Sequence, residues 1–499
     1  MKRNLSLLAL FVIMFYASCK KDATHGWQNQ NVLMHMDKQD RGFIIIAKEG
    51  ENVEKISTAL TQIGAKKFVL KEANQDLGLI HVQTPDPSFP DKARQVAGVQ
   101  SVVIDLVLNW FPPEKNQKAT QLQLKQLAAK ANSKGIYTGD PLSFLQWGLQ
   151  SVHADKAWQK GYFGKGVKVA VLDGGFLLND PEIAPNIILT HSFVDGEVVQ
   201  YKGAEGFSHG SNVAGIIAAK NDGYGVVGVA PEAKLILVKV LNDKGTGSFT
   251  SIINGIYFAA VNGAKVINMS LGGRLPRPGK SYIDDNGTPD DPTDDYVVKY
   301  DKDVKDIVTA MNRATLFANL FGATVIASAG NDAFDFDTEK DFAVYPASCK
   351  GVLPIAANGP LGWGINQDTS LYIPAIYTNV GKNFIAYGAP GGNYSIPLNT
   401  TIVNVGGVIN YEFPFDWIFN IGGEDPSTHE LFYSWVAGTS QAAPHASAVA
   451  ALIYEKYGRI TSSVLVDLIL RKSSTDYGPH GTDKYFGRGQ VNAGKAVGL

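Results

Sequence analysis

Cysteine is nearly absent from this sequence, in which Cys19 and Cys349 are the only two among 499 residues. Two thiols cannot build the framework of bridges that stabilises disulfide-rich secreted domains. The chain is 45% hydrophobic, so it has the composition of a globular protein with a large core. We expect Cys349 to pack in that core as a small apolar residue.

An excess of charge of either sign is also missing. The 45 Lys and Arg residues are balanced by 47 Asp and Glu residues, which leaves a net charge of −2. Binding to a nucleic acid usually requires a basic excess, so no nucleic acid is expected as a partner.

The N-terminal apolar run is too short to cross a bilayer as a stable helix, since it extends only from Leu5 to Tyr16. It follows Lys2 and Arg3, and this order is typical of an export signal. The segment that ends at Cys19 reads Tyr-Ala-Ser-Cys and resembles the lipobox of bacterial lipoproteins. That resemblance implies a signal peptide over residues 1–18, a lipid on Cys19 and a spacer over 19–39. The alternative is an ordinary secretory signal with an incidental cysteine.

Residues 40–110 have the pattern of a small α+β domain. Four apolar segments with the character of strands and two helical segments alternate in the order β-α-β-β-α-β, which is the ferredoxin-like order. We predict the strands at 42–47, 68–70, 79–82 and 102–107, and the helices from Val53 and over 89–99. A polar segment with Pro112 and Pro113 follows over residues 111–136, and such exposed linkers are where proteolysis concentrates.

Residues 137–499 predict an α/β domain. Near-continuous apolar strands alternate with helices, which indicates a parallel sheet covered on both faces. The predicted strands are Val167–Leu172, Leu235–Val240, Val266–Met269, Ala323–Ala327 and Val352–Ala357. Catalytic groups are expected at the carboxyl ends of such strands, where Asp173 and Asn331 stand.

Ser440 is the candidate nucleophile of this domain. It stands in the turn Gly438-Thr439-Ser440, and an Ala-rich apolar run typical of a buried helix follows it. The amides of a helix N-terminus are suited to bind an oxyanion, although a serine there is more often a helix cap. A serine hydroxyl also needs a base and a carboxylate that orients the base.

Asp173, His209 and Ser440 stand in the chain order known for subtilisin. With the segments around them and the Ala-Gly-Asn-Asp segment at Asn331, the chain resembles the subtilisin-like serine proteases (subtilases) from about Asp140 to Val497. The resemblance implies a three-layer subtilisin-like parallel sheet with helices on both faces, an Asp173–His209–Ser440 triad, and Asn331 as an oxyanion donor. It further implies that residues 40–110 are a propeptide that chaperones and inhibits the enzyme.

Two positions depart from the family pattern. Asn212 stands where the family has a second histidine after the catalytic one, and Gly174 replaces the usual Ser or Thr after the aspartate. Neither is a member of the triad, so we expect activity to survive.

The resemblance also implies residues that bind substrate. A substrate would add as a strand between two backbone segments and place one side chain in a pocket. Val344 stands where many relatives have a glycine at the base of that pocket, which predicts a preference for small or medium side chains. The residues implied are Gly245, Thr246, Gly247, Ser270, Leu271, Gly272, Ser328, Ala329 and Val344, with Ala327 beside them in the pocket wall.

A structural calcium ion is a further implication of the resemblance, although no cofactor is required for the chemistry. Asp140, Glu182 and Asp222 match positions of the family's strong calcium site, and carboxylate and carbonyl oxygens suit that ion. The alternative is a turn with solvated acidic residues. Two insertions, at about 276–300 and 393–432, either shape the cleft or lie on the surface, and the acidic run at 284–295 is equally consistent with a calcium loop or a solvated loop.

We therefore expect an exported bacterial serine endopeptidase of peptide or protein substrates, made as an autoinhibited zymogen and monomeric. Its precursor would be anchored in the cell envelope by the lipid on Cys19, and cleavage in the linker would release the catalytic domain. The alternative is a catalytically silent surface binding protein on the same fold.

Overall fold

The structure is a computed structural model that describes residues 41–64, 67–111, 115–118, 139–284, 296–299, 302–458 and 462–499. The predicted signal peptide, Cys19 with its spacer, most of the linker and the acidic run from 285 to 295 lie outside these ranges. No helix in the described ranges is both long and apolar enough to span a membrane.

The N-terminal domain is a four-stranded antiparallel sheet with two helices. The strand order is β2-β3-β1-β4, which confirms the predicted ferredoxin-like arrangement. Its elements are β1 (Arg41–Ala47), α1 (Val53–Ile63), β2 (Val69–Asn74), β3 (Leu79–Thr84), α2 (Phe89–Ala93) and β4 (Val99–Ile104). The prediction of a helix as far as residue 99 was wrong, because α2 ends at Ala93 and β4 already begins at Val99.

The strands after this domain form one large sheet and several small ones. They are β5 (Val107–Asn109), β6 (Lys115–Lys118), β7 (Lys168–Asp173), β8 (Ile187–Ser192), β9 (Lys234–Lys239), β10 (Thr246–Ser248), β11 (Val266–Met269), β12 (Gly273–Pro276), β13 (Ser281–Asp284), β14 (Tyr296–Lys299), β15 (Thr324–Ser328), β16 (Phe342–Tyr345), β17 (Val352–Gly359), β18 (Ile373–Pro374), β19 (Tyr387–Pro390), β20 (Ile402–Val405), β21 (Val408–Tyr411), β22 (Ile418–Glu424) and β23 (Leu431–Ala437).

The helices after the N-terminal domain lie on both sides of the large sheet. They are α3 (Trp147–Ser151), α4 (Ala154–Trp158), α5 (His209–Ala218), α6 (Phe249–Val261), α7 (Lys302–Leu320), α8 (Thr439–Tyr457), α9 (Ser463–Ser473) and α10 (Ala493–Ala496). Most of α8 is buried, which agrees with its apolar, Ala-rich sequence.

The large sheet has eight strands in the order β18-β17-β15-β11-β7-β9-β8, with β19 also paired to β17. All of its pairings are parallel except that of β17 with β18. Two hydrophobic clusters cover its two faces, which confirms the predicted three-layer α/β fold. The carboxyl ends of β7 and β15 lie on one edge, where the candidate site stands.

The N-terminal domain packs on α6 and α7 through its sheet. Arg313 of α7 donates hydrogen bonds to the carbonyl oxygens of Leu77 and Ala47, at 3.1 Å each. The Asp105 carboxylate accepts a hydrogen bond from the Thr250 amide in the first turn of α6, where helix dipoles favour negative charge. The domain therefore caps a helix of the larger domain.

The second predicted insertion contributes to the core. Phe415, Trp417 and Phe419 are buried, and Phe419 packs 4.8 Å from Trp435 between ring centroids. The insertion also supplies β22, which forms a three-stranded sheet with β23 and β6. In the first insertion β13 pairs with β14, and β12, which ends where this insertion begins, pairs with β16. Cys349 is buried in a hydrophobic cluster, as predicted.

Candidate active site

Asp173 and His209 form a buried hydrogen-bonded pair at the edge of the sheet. Asp173 is the last residue of β7 and is fully buried, and His209 is the first residue of α5. The His209 Nδ1 atom lies 2.9 Å from both carboxylate oxygens of Asp173. The pair fixes the imidazole so that Nε2 is the nitrogen left to exchange a proton with a substrate or a hydroxyl.

The loop after Asp173 is held by a buried lysine. Lys239 stands beside Asp173 in the sheet and is fully buried. Its Nζ atom donates to the Gly174 carbonyl at 2.5 Å and to the Asp243 carboxylate at 2.6 Å, and it lies 3.1 Å from Glu197. These contacts compensate the buried charge and fix the backbone that follows the carboxylate.

Ser440 stands in the first turn of α8 and is supported by a buried polar chain. The Ser270 hydroxyl donates to the Ser440 carbonyl at 2.7 Å, and the Ser440 hydroxyl lies 3.4 Å from the Ser270 carbonyl. Behind Ser270, the Asn268 amide donates to its hydroxyl at 3.0 Å, and the Ser447 hydroxyl donates to Asn268 at 2.8 Å. The backbone around Ser440 is therefore anchored to β11.

The helices that carry Ser440 and His209 are joined directly beside these two residues. The Gln441 side-chain amide donates to Asn212 Oδ1 at 3.1 Å, and Asn212 Nδ2 donates to the Ile421 carbonyl at 2.7 Å. Asn212 thus fills the family's second-histidine position with a residue that bonds both α8 and β22.

Asn331 is oriented by its neighbour along the cleft. Its Oδ1 atom accepts hydrogen bonds from the Thr439 amide at 2.9 Å and from the Thr439 hydroxyl at 2.7 Å. Both bonds use the carbonyl oxygen, so Thr439 does not occupy the donor Nδ2, and Asn331 borders the cavity beside Ser440.

A small cavity adjoins Ser440 and Asn331. It contains several predicted substrate-binding residues, and it has a volume of about 20 Å³ open to water-sized molecules. Ala329 is fully buried and packs against Ala356 and Ile385 instead. The residues that line the cavity are Leu271, Gly272, Arg274, Ser328, Gly330, Asn331, Asp332, Val344, Thr439 and Ser440.

The two segments predicted to bind a substrate strand are bonded to the chain's own residues 107–111. Strand β5 pairs antiparallel with β10, with Asn109 opposite Thr246. The Trp110 amide donates to the Gly245 carbonyl at 2.9 Å, and the Gly272 amide donates to the Trp110 carbonyl at 3.1 Å. Trp110 is fully buried, and its indole N–H donates to the Gly247 carbonyl at 2.8 Å.

Phe111 continues this segment over the Asp173–His209 pair. Its ring lies 4.3 Å from the His209 ring, between centroids. A Cβ atom on Gly174 would stand 3.0 Å from the Phe111 ring, and one on Gly245 would stand 2.5 Å from it. Gly174, which departs from the family pattern, therefore leaves the space that the Phe111 ring fills.

The residues predicted to bind calcium are only partly assembled. Asp140 accepts hydrogen bonds from the Asp222 and Gly223 amides at 3.1 and 2.7 Å, and burial raises the pKa of Glu182 well above its usual range. Glu182 Oε2 is buried and has no hydrogen-bond partner in the described part of the chain. The Asp222 carboxylate instead accepts from the Tyr224 amide on the exposed side of its loop. Among the described residues, no three His, Cys, Asp or Glu side chains are grouped as a metal site.

Several residues of the site carried no usable signal in the sequence. Arg274 and Asp332 line the cavity by Ser440, and Trp110 and Phe111 cover the cleft, although all four were outside the predicted site. Thr439 could have been found, since it adjoins Ser440 in the motif, but its bond to Asn331 depends on the fold.

Comparison with known proteins identifies the family. The subtilase family model, which describes the S8 peptidases, matches residues 164–489. Thermitase from Thermoactinomyces vulgaris is 29% identical over 361 residues, which cover 72% of this chain and 98% of thermitase. Subtilisin NAT from Bacillus subtilis subsp. natto is 31% identical over 353 residues, 71% of each protein. The minor extracellular protease Epr of Bacillus subtilis is 29% identical over 362 residues, which cover 72% of this chain but only 43% of Epr.

Solved structures show the same fold at lower identity. The epidermin leader peptide processing serine protease of Staphylococcus aureus has a TM-score of 0.65 and 19% identity, over 92% of this chain and 98% of its own. Fervidolysin from Fervidobacterium pennivorans, a keratinolytic enzyme, has a TM-score of 0.61 and 21% identity, over 95% of this chain and 63% of its own. At these identities the likeness concerns the fold alone.

Proposed function

This chain belongs to the subtilase family of serine proteases, and from that premise we propose that it is an exported endopeptidase that cleaves peptide bonds with Ser440 and is made as an inactive zymogen. The main support is the 2.9 Å contact of Asp173 with His209. The helix that begins with His209 is also bonded to the helix that carries Ser440, through Gln441 and Asn212. The Asn331 donor borders the same cavity as Ser440.

In this proposal His209 takes the proton of the Ser440 hydroxyl while that oxygen attacks the scissile carbonyl. Asp173 keeps the imidazole in the required tautomer and stabilises the imidazolium that forms. The Asn331 amide and the Ser440 backbone N–H stabilise the oxyanion. His209 then returns the proton to the leaving amine, and water hydrolyses the acyl-enzyme by the same route.

The proposed preference at the cleaved bond is for a small or medium side chain. The cavity by Ser440 has room for about one or two waters as it stands, and Val344 fills part of its wall. A Cβ atom on Gly272 would lie 3.1 Å from Val344 Cγ1, so these two residues already approach closely.

The zymogen proposal is supported by the segment 107–111, which uses the backbone groups that a substrate strand would need. Phe111 also lies on His209 and blocks access to it. Residues 40–110 thus act as an inhibitor that is part of the same chain, and a cut in the linker frees the cleft. On this proposal the lipid on Cys19 stays with the N-terminal part, so the cut also releases the catalytic domain from the envelope. Recovery of the mature catalytic fragment still bound to membranes would contradict that release.

A calcium ion remains part of the proposal as a structural group. Asp140 and Glu182 would hold it with carbonyl oxygens of the loop 221–226, and the unpartnered oxygen of Glu182 fits that role. Asp222 fits less well because its carboxylate bonds its own loop. A chelator should lower the melting temperature of the protein, and an unchanged melting temperature would argue against the ion.

The experiment that tests the enzyme compares the wild type with Ser440→Ala. We expect a fluorophosphonate to label the wild-type chain at one site and casein to be hydrolysed, and we expect neither with the variant. A wild-type protein that is folded but is neither labelled nor active would favour the silent binding protein.

A further inference from the structure

The chain's own strand β6 lies on the far side of the catalytic serine from residues 107–111. It pairs antiparallel with β23, from Lys115 opposite Ala437 to Lys118 opposite Ser434. Since β23 ends at Ala437 and α8 begins two residues later, β6 starts next to the nucleophile and runs away from it. This strand lies within the segment 111–136, which we predicted to be a linker.

The two bonded segments thus mark both sides of the cleft. Residues 107–111 lie where the acyl side of a substrate would pair, and residues 115–118 lie where its leaving-group side would continue. A single extended peptide can therefore pair on both sides of Ser440 at once.

The sheet that receives β6 is connected to the catalytic residues. Strand β22 exchanges backbone hydrogen bonds with the loop before His209, from the Ser208 amide to Gly422 at 3.0 Å and from the Glu424 amide to Gly206 at 3.0 Å. Strand β23 leads into Ser440. Binding at the edge of β23 is consequently close to both the base and the nucleophile.

Lys118 enters a site with two complementary groups. Its Nζ atom lies 2.9 Å from Asp425 Oδ2 and 4.3 Å above the centre of the Phe432 ring. Asp425 Oδ1 accepts hydrogen bonds from the Ser427 and Thr428 amides, so the carboxylate is held in place before a cation arrives. The Lys118 ammonium and these backbone bonds lower the pKa of Asp425 to about 2, and the carboxylate is charged at neutral pH.

We propose that the edge of β23, with Asp425 and Phe432, is a binding site for the leaving-group side of the substrate that selects a lysine or arginine side chain. Lys118 is the occupant of this site in the zymogen, and a substrate residue replaces it after maturation. The inference rests on the proposed function, because it names a subsite of the same cleft.

The position of the basic residue follows from the chain. A substrate that pairs in the same way as both segments has its cleaved bond between the positions that Phe111 and Lys115 occupy. Counted from that bond, Lys118 is between the fourth and the seventh residue on the leaving-group side. An ion pair and a cation–π contact at a partly exposed site together correspond to a preference of about 5- to 20-fold.

The test uses the full chain after activation. A separate sample, labelled to completion with a fluorophosphonate, shows that activation is complete, and the unlabelled remainder is assayed. Internally quenched Ala/Gly peptides, with alanine at the cleaved bond, carry one lysine at the fourth, fifth, sixth or seventh position after it, or none. We expect kcat/KM to be about 5- to 20-fold higher for lysine at one of these positions, and less so at high salt. Asp425→Asn should bring the ratio of kcat/KM for the best lysine peptide to kcat/KM for the lysine-free peptide close to one.

Glu424→Gln is the matched control, because it removes the same charge one residue away, where the carboxylate pairs with His429 and not with Lys118. It should keep the lysine preference. Equal rates for all five peptides in the wild type, or equal losses in Asp425→Asn with and without lysine, would overturn the inference while leaving the protease proposal intact. A chain that is neither labelled nor able to cleave any peptide would remove the protease proposal, and this inference with it.

Discussion

If the chain is a zymogen as proposed, loss of the Trp110 side chain should strongly favour release of residues 107–111 from the cleft. The Trp110 indole is fully buried in the cleft, lies 4.9 Å from the Phe249 ring between centroids, and donates to the Gly247 carbonyl. Its backbone binds both Gly245 and Gly272, so the side chain and the main chain hold the segment together. We predict that Trp110→Ala raises the fraction of chains with an accessible Ser440.

The magnitude follows from burial. Truncation of a buried tryptophan to alanine costs about 3–5 kcal/mol, and this cost falls on the closed state alone, because the indole is exposed to water when the segment leaves the cleft. A free-energy change of at least 3 kcal/mol corresponds to a shift of about 100-fold or more in the closed-to-open equilibrium. Trp110→Phe keeps an aromatic ring in the cleft but loses the hydrogen bond of the indole N–H to the Gly247 carbonyl. It should shift the closed-to-open equilibrium by about 5- to 10-fold.

The assay is the initial rate at which a fluorophosphonate labels freshly purified full-length chain, with the intact mass checked to exclude prior cleavage. Trp158→Phe is the matched control for Trp110→Phe, since the Trp158 indole is also buried and donates to a backbone carbonyl, that of Val229, at 3.0 Å. It should not alter the labelling rate. A rate for Trp110→Ala within about twofold of the wild type would refute the reasoning that this side chain keeps the cleft closed.

Three further changes test other parts of the proposal. Asn331→Ala should lower kcat by about 100- to 1,000-fold with little change in KM, which is the range known for an oxyanion-hole asparagine in subtilisin, a member of this family; a loss below about tenfold would exclude the role. Val344→Gly should raise the rate for phenylalanine relative to alanine at the cleaved bond by about tenfold, measured on a peptide pair that differs only there; an unchanged ratio would mean that Val344 does not set the pocket depth. Asp416→Asn should flatten the pH dependence of stability. Burial raises the pKa of Asp416, so the folded chain retains a proton that the unfolded chain releases above about pH 4. The stability of the wild type therefore falls as the pH rises toward neutral, and the variant lacks this titrating group. Melting temperatures at pH 5 and pH 8 measure this, and a variant with the same slope as the wild type would contradict it.

The central elements could be predicted because their composition and their apolar pattern both indicate the same secondary structure. The strand that ends at Asp173 is apolar from Val169 to Leu172, and the helix that carries Ser440 is rich in alanine and buried from Thr439 to Tyr454, as buried elements of an α/β sheet require. The ferredoxin-like order of the N-terminal domain was likewise readable from alternating apolar segments. Asp173 and His209 were predicted as a pair, and they lie in hydrogen-bond contact.

The contacts that complete the cleft could not be predicted, because they join residues far apart in the chain through backbone atoms. Nothing in the segment around Lys115 has the composition of a strand, and its pairing depends on an edge that β23 presents more than 300 residues later. Arg274 enters the cavity by Ser440 only because β12 pairs with β16. Pairing of this kind follows from tertiary structure and leaves little periodic signal.

Gly174 shows how a departure from a family pattern acquires a physical reason in the fold. A side chain at this position would meet the Phe111 ring and the Asn242 carbonyl at about 3 Å, so the usual Ser or Thr would displace the segment that covers His209. The glycine therefore leaves room for the Phe111 ring of the proposed inhibitory segment, and a peptide with a smaller residue at that point would not fill this room. This predicts that Gly174→Ser weakens the closed zymogen more than it affects catalysis by the activated enzyme, with labelling rates before activation and kcat/KM after it as the two measurements. The reverse order of effects would mean that Gly174 serves the Asp173 loop and not the fit of Phe111.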